Sequence, residues 1–192
     1  MSAYHSGSRE LQDRFDTRRL ADRLAERTLR GEFTAEDRAF IETRNMFFLA
    51  TADASGQPDC SYKGGLPGFV RVTAPGELAF PSYDGNGMFR SLGNVRINPA
   101  VGLLFLDFEQ PRRLRVLGTA VASENDPLRA EFAGAQLVVR VRADAIFPNC
   151  PRYLHRMQLV ELSAYAPRAG YEPPVAAWKE MPAFKEVLPR GS

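Results

Sequence analysis

The sequence is poor in histidine and cysteine, with two of each in 192 residues. Cys60 and Cys150 stand far apart and form neither a CxxC pair nor a disulfide framework. No spacing among His5, His155 and the two cysteines suits a metal site. His155 follows Cys150 by five residues, but Pro148 and Pro151 bracket that cysteine and no orienting carboxylate follows. A Cys–His nucleophile pair is therefore not expected. An excess of one charge is also missing. The 25 Lys and Arg stand against 23 Asp and Glu, which excludes a nucleic-acid polycation. No apolar run approaches the roughly 20 residues of a membrane span, and no basic-then-apolar leader opens the chain. Together these gaps predict a cytoplasmic protein with neither a membrane nor a nucleic-acid partner. Repeats and low-complexity tracts are absent. What is present is an ordinary globular balance, 44% hydrophobic and 25% charged, long enough for one domain with a real core.

Periodicity divides the chain into three parts. Residues 1–44 read as a helical segment, 45–166 as a β-rich domain and 167–192 as a Pro-rich tail. Leu20, Ala21, Leu24, Ala25, Thr28 and Leu29 fall at helical spacing, which predicts one helix over residues 8–30. Asp16 is a candidate cap for its second half, and Gly31 a natural stop. Thr34 followed by Asp37 reads as a capping box before a short helix through Phe40 and Ile41.

The texture then changes. "MFFLATADASGQPDCSYKGG" reads as strand, turn, strand. "FVRV" and "ELAF" form a second short pair around Ala74-Pro75-Gly76. Residues 87–97 predict a helix with Met88, Leu92 and Val95 on one side, ended by Pro99. "AVGLLFLDF" (100–108) suits a strand buried on both faces. "RRLRVLGTAVAS" (112–123) alternates, with Leu114, Val116 and Gly118 facing one way and Arg113, Arg115 and Leu117 the other. Asp126-Pro127 starts a short helix, residues 136–147 form a further strand, and Leu159 to Leu162 extend the sheet. The tail lacks periodicity and is expected to wrap a surface or a partner subunit. Six or seven strands with short links give a mainly β, antiparallel barrel or sandwich with peripheral helices, and exclude helical crossovers between most strands.

The stretch "FPSYDGNGMFRSLGNVRINP" (80–99) carries the chemistry. A strand end, a Gly-rich loop and a helix start would place free backbone N–H groups at a positive helix terminus, which favours phosphate. Gly85 and Gly87 permit close approach, and Ser82 and Asn86 add donors. Asp84 opposes an anion unless it caps the helix. A plain capped turn is the competing explanation. Alternation along "DCSYKGG" puts Ser61 and Lys63 on one strand face and Cys60 and Tyr62 on the other, and a Ser–Lys pair suits phosphate. Arg112, Arg113 and Arg115 read as a solvated face from which one arginine reaches a planar ligand. The hydroxyls of Tyr62, Tyr83 and Tyr153 are further candidates for polar contacts.

In this order the motifs resemble the pyridoxamine 5′-phosphate oxidase-like family of FMN-binding split β-barrels. "ATADASGQP" and "INPAVGLLFLDF" are the most telling pieces, and the similarity spans roughly residues 40–147. "FPNCPRYLHR" and "YHSGSRELQ" fit its uncharacterised flavin-nucleotide-binding branch. The resemblance implies a homodimer with an FMN at each subunit interface. It implies that Ser61, Tyr62 and Lys63 touch the ring and phosphate, and that Pro81 and Ser82 border the ring. Asn86, Gly87 and Met88 would open the phosphate-binding helix, Arg113 would face the pyrimidine edge, and Asn149 and Arg152 would reach the partner's flavin. Ser61, Gly87 and Met88 stand where the vitamin-forming oxidase has basic residues, and Trp178 lacks that enzyme's substrate-binding surroundings, which argues against pyridoxamine phosphate as substrate. The expected function is an FMN-dependent oxidoreductase acting on a small molecule, with no catalytic residue identified. The alternatives are a flavin carrier or sensor without turnover, haem or tetrapyrrole handling, and a deazaflavin-dependent protein.

Overall fold

Alternating apolar residues build seven strands: β1 Met46–Ala52, β2 Pro58–Gly64, β3 Arg71–Ala74, β4 Glu77–Tyr83, β5 Ala100–Asp107, β6 Arg112–Ser123 and β7 Ala135–Asn149. A computed structural model describes residues 4–189. The strands form one antiparallel sheet in the order β2-β1-β5-β6-β7-β4-β3. Strands β2 and β3 end this order and do not pair with each other, so the barrel is open rather than closed.

The sheet nevertheless curls on itself. Phe47 on β1 and Phe80 on β4 lie four strand spacings apart in the order, roughly 19 Å if the sheet were flat. Their ring centroids are 4.9 Å apart. Phe47 also meets Phe105 at 5.1 Å and Phe69 at 5.9 Å. Leu49, Leu103, Leu114, Val116, Val139 and Ile146 fill the same buried interior.

Helix α1 (Ser6–Arg14) and helix α2 (Arg18–Thr28) replace the single helix expected over 8–30. Asp16 takes a left-handed conformation, φ +51°, and breaks the run instead of capping it. Helix α3 (Ala35–Glu42) has the expected capping box between Thr34 and Asp37. The buried Asp37 carboxylate also accepts from the Arg30 guanidinium at 2.7 Å. Helix α4 (Arg90–Ile97) starts three residues later than predicted. Gly87 (φ +74°) and Phe89 (φ +47°) wind the chain left-handedly before it, so Met88 is exposed while Leu92 and Val95 enter the core.

Strand β5 is fully buried on one face and only partly on the other. Val101, Leu103 and Phe105 point inward; on the outer face Leu106 is buried near the segment around Met157, while Gly102 and Leu104 stay half-buried. Strand β6 alternates as expected, with Leu114, Val116 and Gly118 inward. Its arginines differ from a uniform solvated face. Arg112 pairs with Glu36 and lies over the Phe40 ring, Arg113 donates to the Cys150 carbonyl, and only Arg115 is exposed. Residues 159–162 form no strand, because only Met157 and Leu159 bond back, to Phe108 and Glu109. The tail carries a 3-10 turn at Ala177–Glu180 and helix α5 (Pro182–Lys185). The outermost positions of the helical segment and the tail, 1–3 and 190–192, lie outside the described residues. No helix of the described residues is long and apolar enough to cross a membrane.

Strands β6 and β7 carry a bulge between Leu117 and Gly118. A Cβ at Gly118 would lie 2.1 Å from the Arg142 carbonyl oxygen, a backbone atom that cannot swing aside. Gly118→Ala is therefore expected to cost about 1–3 kcal/mol as overpacking. A urea midpoint equal to wild type would show that the bulge relaxes freely.

Candidate functional site: a lysine-bearing cavity at a helix start

Strand β2 is a sheet edge, and its pairing fixes which side chains turn inward. Ser61 lies opposite Leu49 and Lys63 opposite Phe47, both buried. Asp59, Ser61 and Lys63 therefore share the inner face, and Cys60 and Tyr62 the outer one. The end of β4, the loop over residues 84–89 and the start of α4 come against this inner face. They enclose a cavity of about 350 Å³ lined by Asp59, Ser61, Lys63, Ser82 to Leu92, Gln136 and Pro189.

The walls are tied together. Ser61 Oγ and Ser91 Oγ are 2.9 Å apart, and Ser91 Oγ donates to Asp59 Oδ2 at 3.2 Å. Arg90 Nε lies 3.4 Å from Asp59 Oδ1. Asn86 Oδ1 accepts from the Met88 N–H at 3.0 Å and so shapes the loop. No side chain caps α4, and Asp84 does not turn toward it. Asp84 instead accepts from Lys179 Nζ at 2.6 Å and from Gln136 Nε2 at 3.3 Å.

Lys63 is half-buried. Its ammonium has no hydrogen bond or ion pair among the described residues. Burial pushes its pKa below the ordinary lysine value, opposed by the Asp59 carboxylate. Burial pushes the Tyr83 phenol upward, which keeps it a hydroxyl donor. A half-buried ammonium, serine hydroxyls and the open N-terminus of an eight-residue helix form one donor set. That set fits a phosphate monoester, which supplies acceptors on every side.

Six of the predicted site residues meet here: Ser61, Lys63, Ser82, Asn86, Gly87 and Met88. Five do not. Tyr62 points to the outer face and lines a separate cavity of about 640 Å³ with Tyr83 and Met157. Pro81 is buried opposite Val138. Arg113 and Asn149 face each other across β6 and β7, beyond the cavity, with Arg152 exposed just after β7. Arg113 Nε and Asn149 Oδ1 are buried there without a partner among the described residues. Sequence reasoning passed over Asp59, Arg90, Ser91 and Lys179. Asp59 was within reach of the alternation that selected Ser61 and Lys63. Lys179 sits in a segment with no periodicity, so no local signal marks it.

An open antiparallel sheet curled round one core, with a helix inserted after the fourth strand, defines a split barrel. The chain belongs to the pyridoxamine 5′-phosphate oxidase family, whose sequence pattern matches residues 33–166. No curated protein matches it. Among solved structures, a putative pyridoxamine 5′-phosphate oxidase from Lactobacillus delbrueckii is 23% identical, with a TM-score of 0.49, covering 62% of this chain and 95% of its own. HupZ of Group A Streptococcus is 21% identical, with a TM-score of 0.49, covering 60% and 93%. A FAD-binding protein from Mesorhizobium loti is 16% identical, with a TM-score of 0.42, covering 64% and 99%.

Proposed function

We propose that this chain binds FMN through the 350 Å³ cavity and acts as an FMN-dependent oxidoreductase on a small molecule, as a homodimer. The observation that carries the reading is Lys63, an ammonium taken partly out of water, in no hydrogen bond or ion pair among the described residues and eased only in part by Asp59, beside an uncapped helix start. Taking a cation partly out of water without a hydrogen-bonded partner is costly, and a phosphate that supplies one offsets that cost. Bound FMN would supply two-electron redox chemistry. The protein's part is to hold and orient. Lys63 and Ser82 fix the phosphate, and Ser61 is held for the same task by Ser91. The uncapped N–H groups of α4 add their dipole.

The rest of the site is assigned to a second copy. Arg113, Asn149 and Arg152 lie away from their own cavity, and two of them hold buried polar atoms without partners. We assign them to the flavin of the partner subunit. Tyr62, Leu117 and Val121 are exposed on the outer face of the sheet, which supports burial against that copy. In this scheme residues 45–166 form the flavin-binding unit.

Titration of the purified protein with FMN, followed by flavin fluorescence, tests the reading. The expected result is saturable binding at one site per chain and a yellow protein. A protein that takes up no flavin overturns it. Turnover of the loaded protein with a panel of nicotinamides and quinones separates an enzyme from a carrier.

A further inference from the structure

We propose that Lys179, carried by the C-terminal tail, is a positioning residue for the same cavity: it neutralises Asp84 and thereby sets the affinity for a phosphate monoester. This rests on the assignment of the cavity to the FMN phosphate.

The cavity is not simply basic. Asp59 and Asp84 both line it, against Lys63 and Arg90. Arg90 and Ser91 engage Asp59. Lys63 has no fixed partner, so Asp84 would stand uncompensated at the mouth if the tail were absent. Lys179 Nζ meets Asp84 Oδ2 at 2.6 Å, with Gln136 holding the other oxygen. With Lys179 counted, three cations face two carboxylates, and the surplus positive charge is left at Lys63. Without it the charges balance, and a dianion entering the cavity meets a bare carboxylate.

Contacts within the tail order the segment that carries Lys179. Lys179 lies on the short turn Ala177–Glu180, next to Trp178. The Trp178 ring packs edge-on against Phe184 of α5 at 5.9 Å, and Lys179 Nζ lies 5.9 Å from the Trp178 ring. Further along, Pro189 lines the cavity itself. The Lys179 side chain is 18% exposed although its partner carboxylate is 60% exposed, so the tail buries the cation rather than the anion. An ion pair with so exposed a carboxylate adds little to stability, so its loss leaves a folded protein.

The test compares FMN with riboflavin, which lacks the phosphate, in Lys179→Met, Asp84→Asn, the double variant and Lys63→Ala. Lys179→Met is expected to weaken FMN about tenfold and to leave riboflavin affinity unchanged, with thermal stability near wild type. Adding Asp84→Asn is expected to restore FMN affinity, because the uncompensated carboxylate is then gone. Lys179→Arg is expected to retain it. Wild-type FMN affinity in Lys179→Met overturns the proposal, as does equal loss for both flavins or no rescue in the double variant. If Lys63→Ala loses FMN while Lys179→Met does not, the cavity assignment stands and the role of Lys179 falls. If wild-type protein binds no FMN, both fall together.

Discussion

Lys63→Met weakens FMN binding about 10- to 100-fold and raises the thermal midpoint of the same protein: this pair of opposite effects is the expected result. A hydrogen bond to a charged group contributes about 1.5–3 kcal/mol, and each 1.4 kcal/mol is tenfold in Kd. The same ammonium is a cost to the empty fold. Burial lowers its pKa, and Asp59 opposes that only in part. In the unfolded chain Lys63 keeps its proton up to the ordinary value of 10.5. In the fold it releases that proton at a lower pH. Between those two values the unfolded state holds more protons, so stability rises with pH across the window. Below the window the penalty is present in full, and above it the penalty is gone. Methionine keeps the stem of the side chain and removes the charge. Its stabilising effect is therefore largest at neutral pH and shrinks as pH approaches 10.5. Wild-type affinity for FMN falls as pH rises through the lowered Lys63 value. Fluorescence titrations and melts at neutral and alkaline pH measure both arms. A methionine variant that binds FMN as wild type does, or melts lower at neutral pH, contradicts the account.

Phe47→Ala is expected to cost about 3–5 kcal/mol. The side chain is fully buried and meets three other rings. It is also the contact that brings β1 against β4 across the curl. Aromatic pairs contribute about 0.5–1.5 kcal/mol each beyond burial, which pushes the loss toward the upper end. Domains of this kind have about 5–15 kcal/mol in all, so the variant sits near the edge of folding. Phe47→Leu keeps most of the volume and is expected to lose far less. Urea unfolding with an unchanged m-value measures both variants. A loss under about 1 kcal/mol for the alanine variant would mean that the rings do not hold the curl together.

The β-rich middle of the chain was legible because it obeys a period of two. The same rule put Ser61 and Lys63 on one face and Tyr62 on the other, and β2 keeps that division. The Thr34–Asp37 capping box was legible because both of its hydrogen bonds are local. The failures have physical causes too. Asp16, Gly87 and Phe89 take left-handed backbone that spacing alone does not reveal, so one helix split and another started late. The outer face of β5 read as buried throughout because its composition suits a covered surface, but one chain buries only Leu106 there and leaves Gly102 and Leu104 half-buried. Asp84 read as an obstacle to an anion because its partner, Lys179, lies 95 residues away.

The linear order of the strands has a kinetic consequence. Strands β6 and β7 are neighbours both in sequence and in the sheet, so their long hairpin forms from nearby contacts. Strand β2 and the end of β4 stand toward opposite ends of the order and become neighbours only when the two flanks meet. The cavity straddles that seam. Anything lodged in it works as a clasp: it slows the opening of the seam, and it cannot hasten a closure that must already have happened before there is anywhere to lodge.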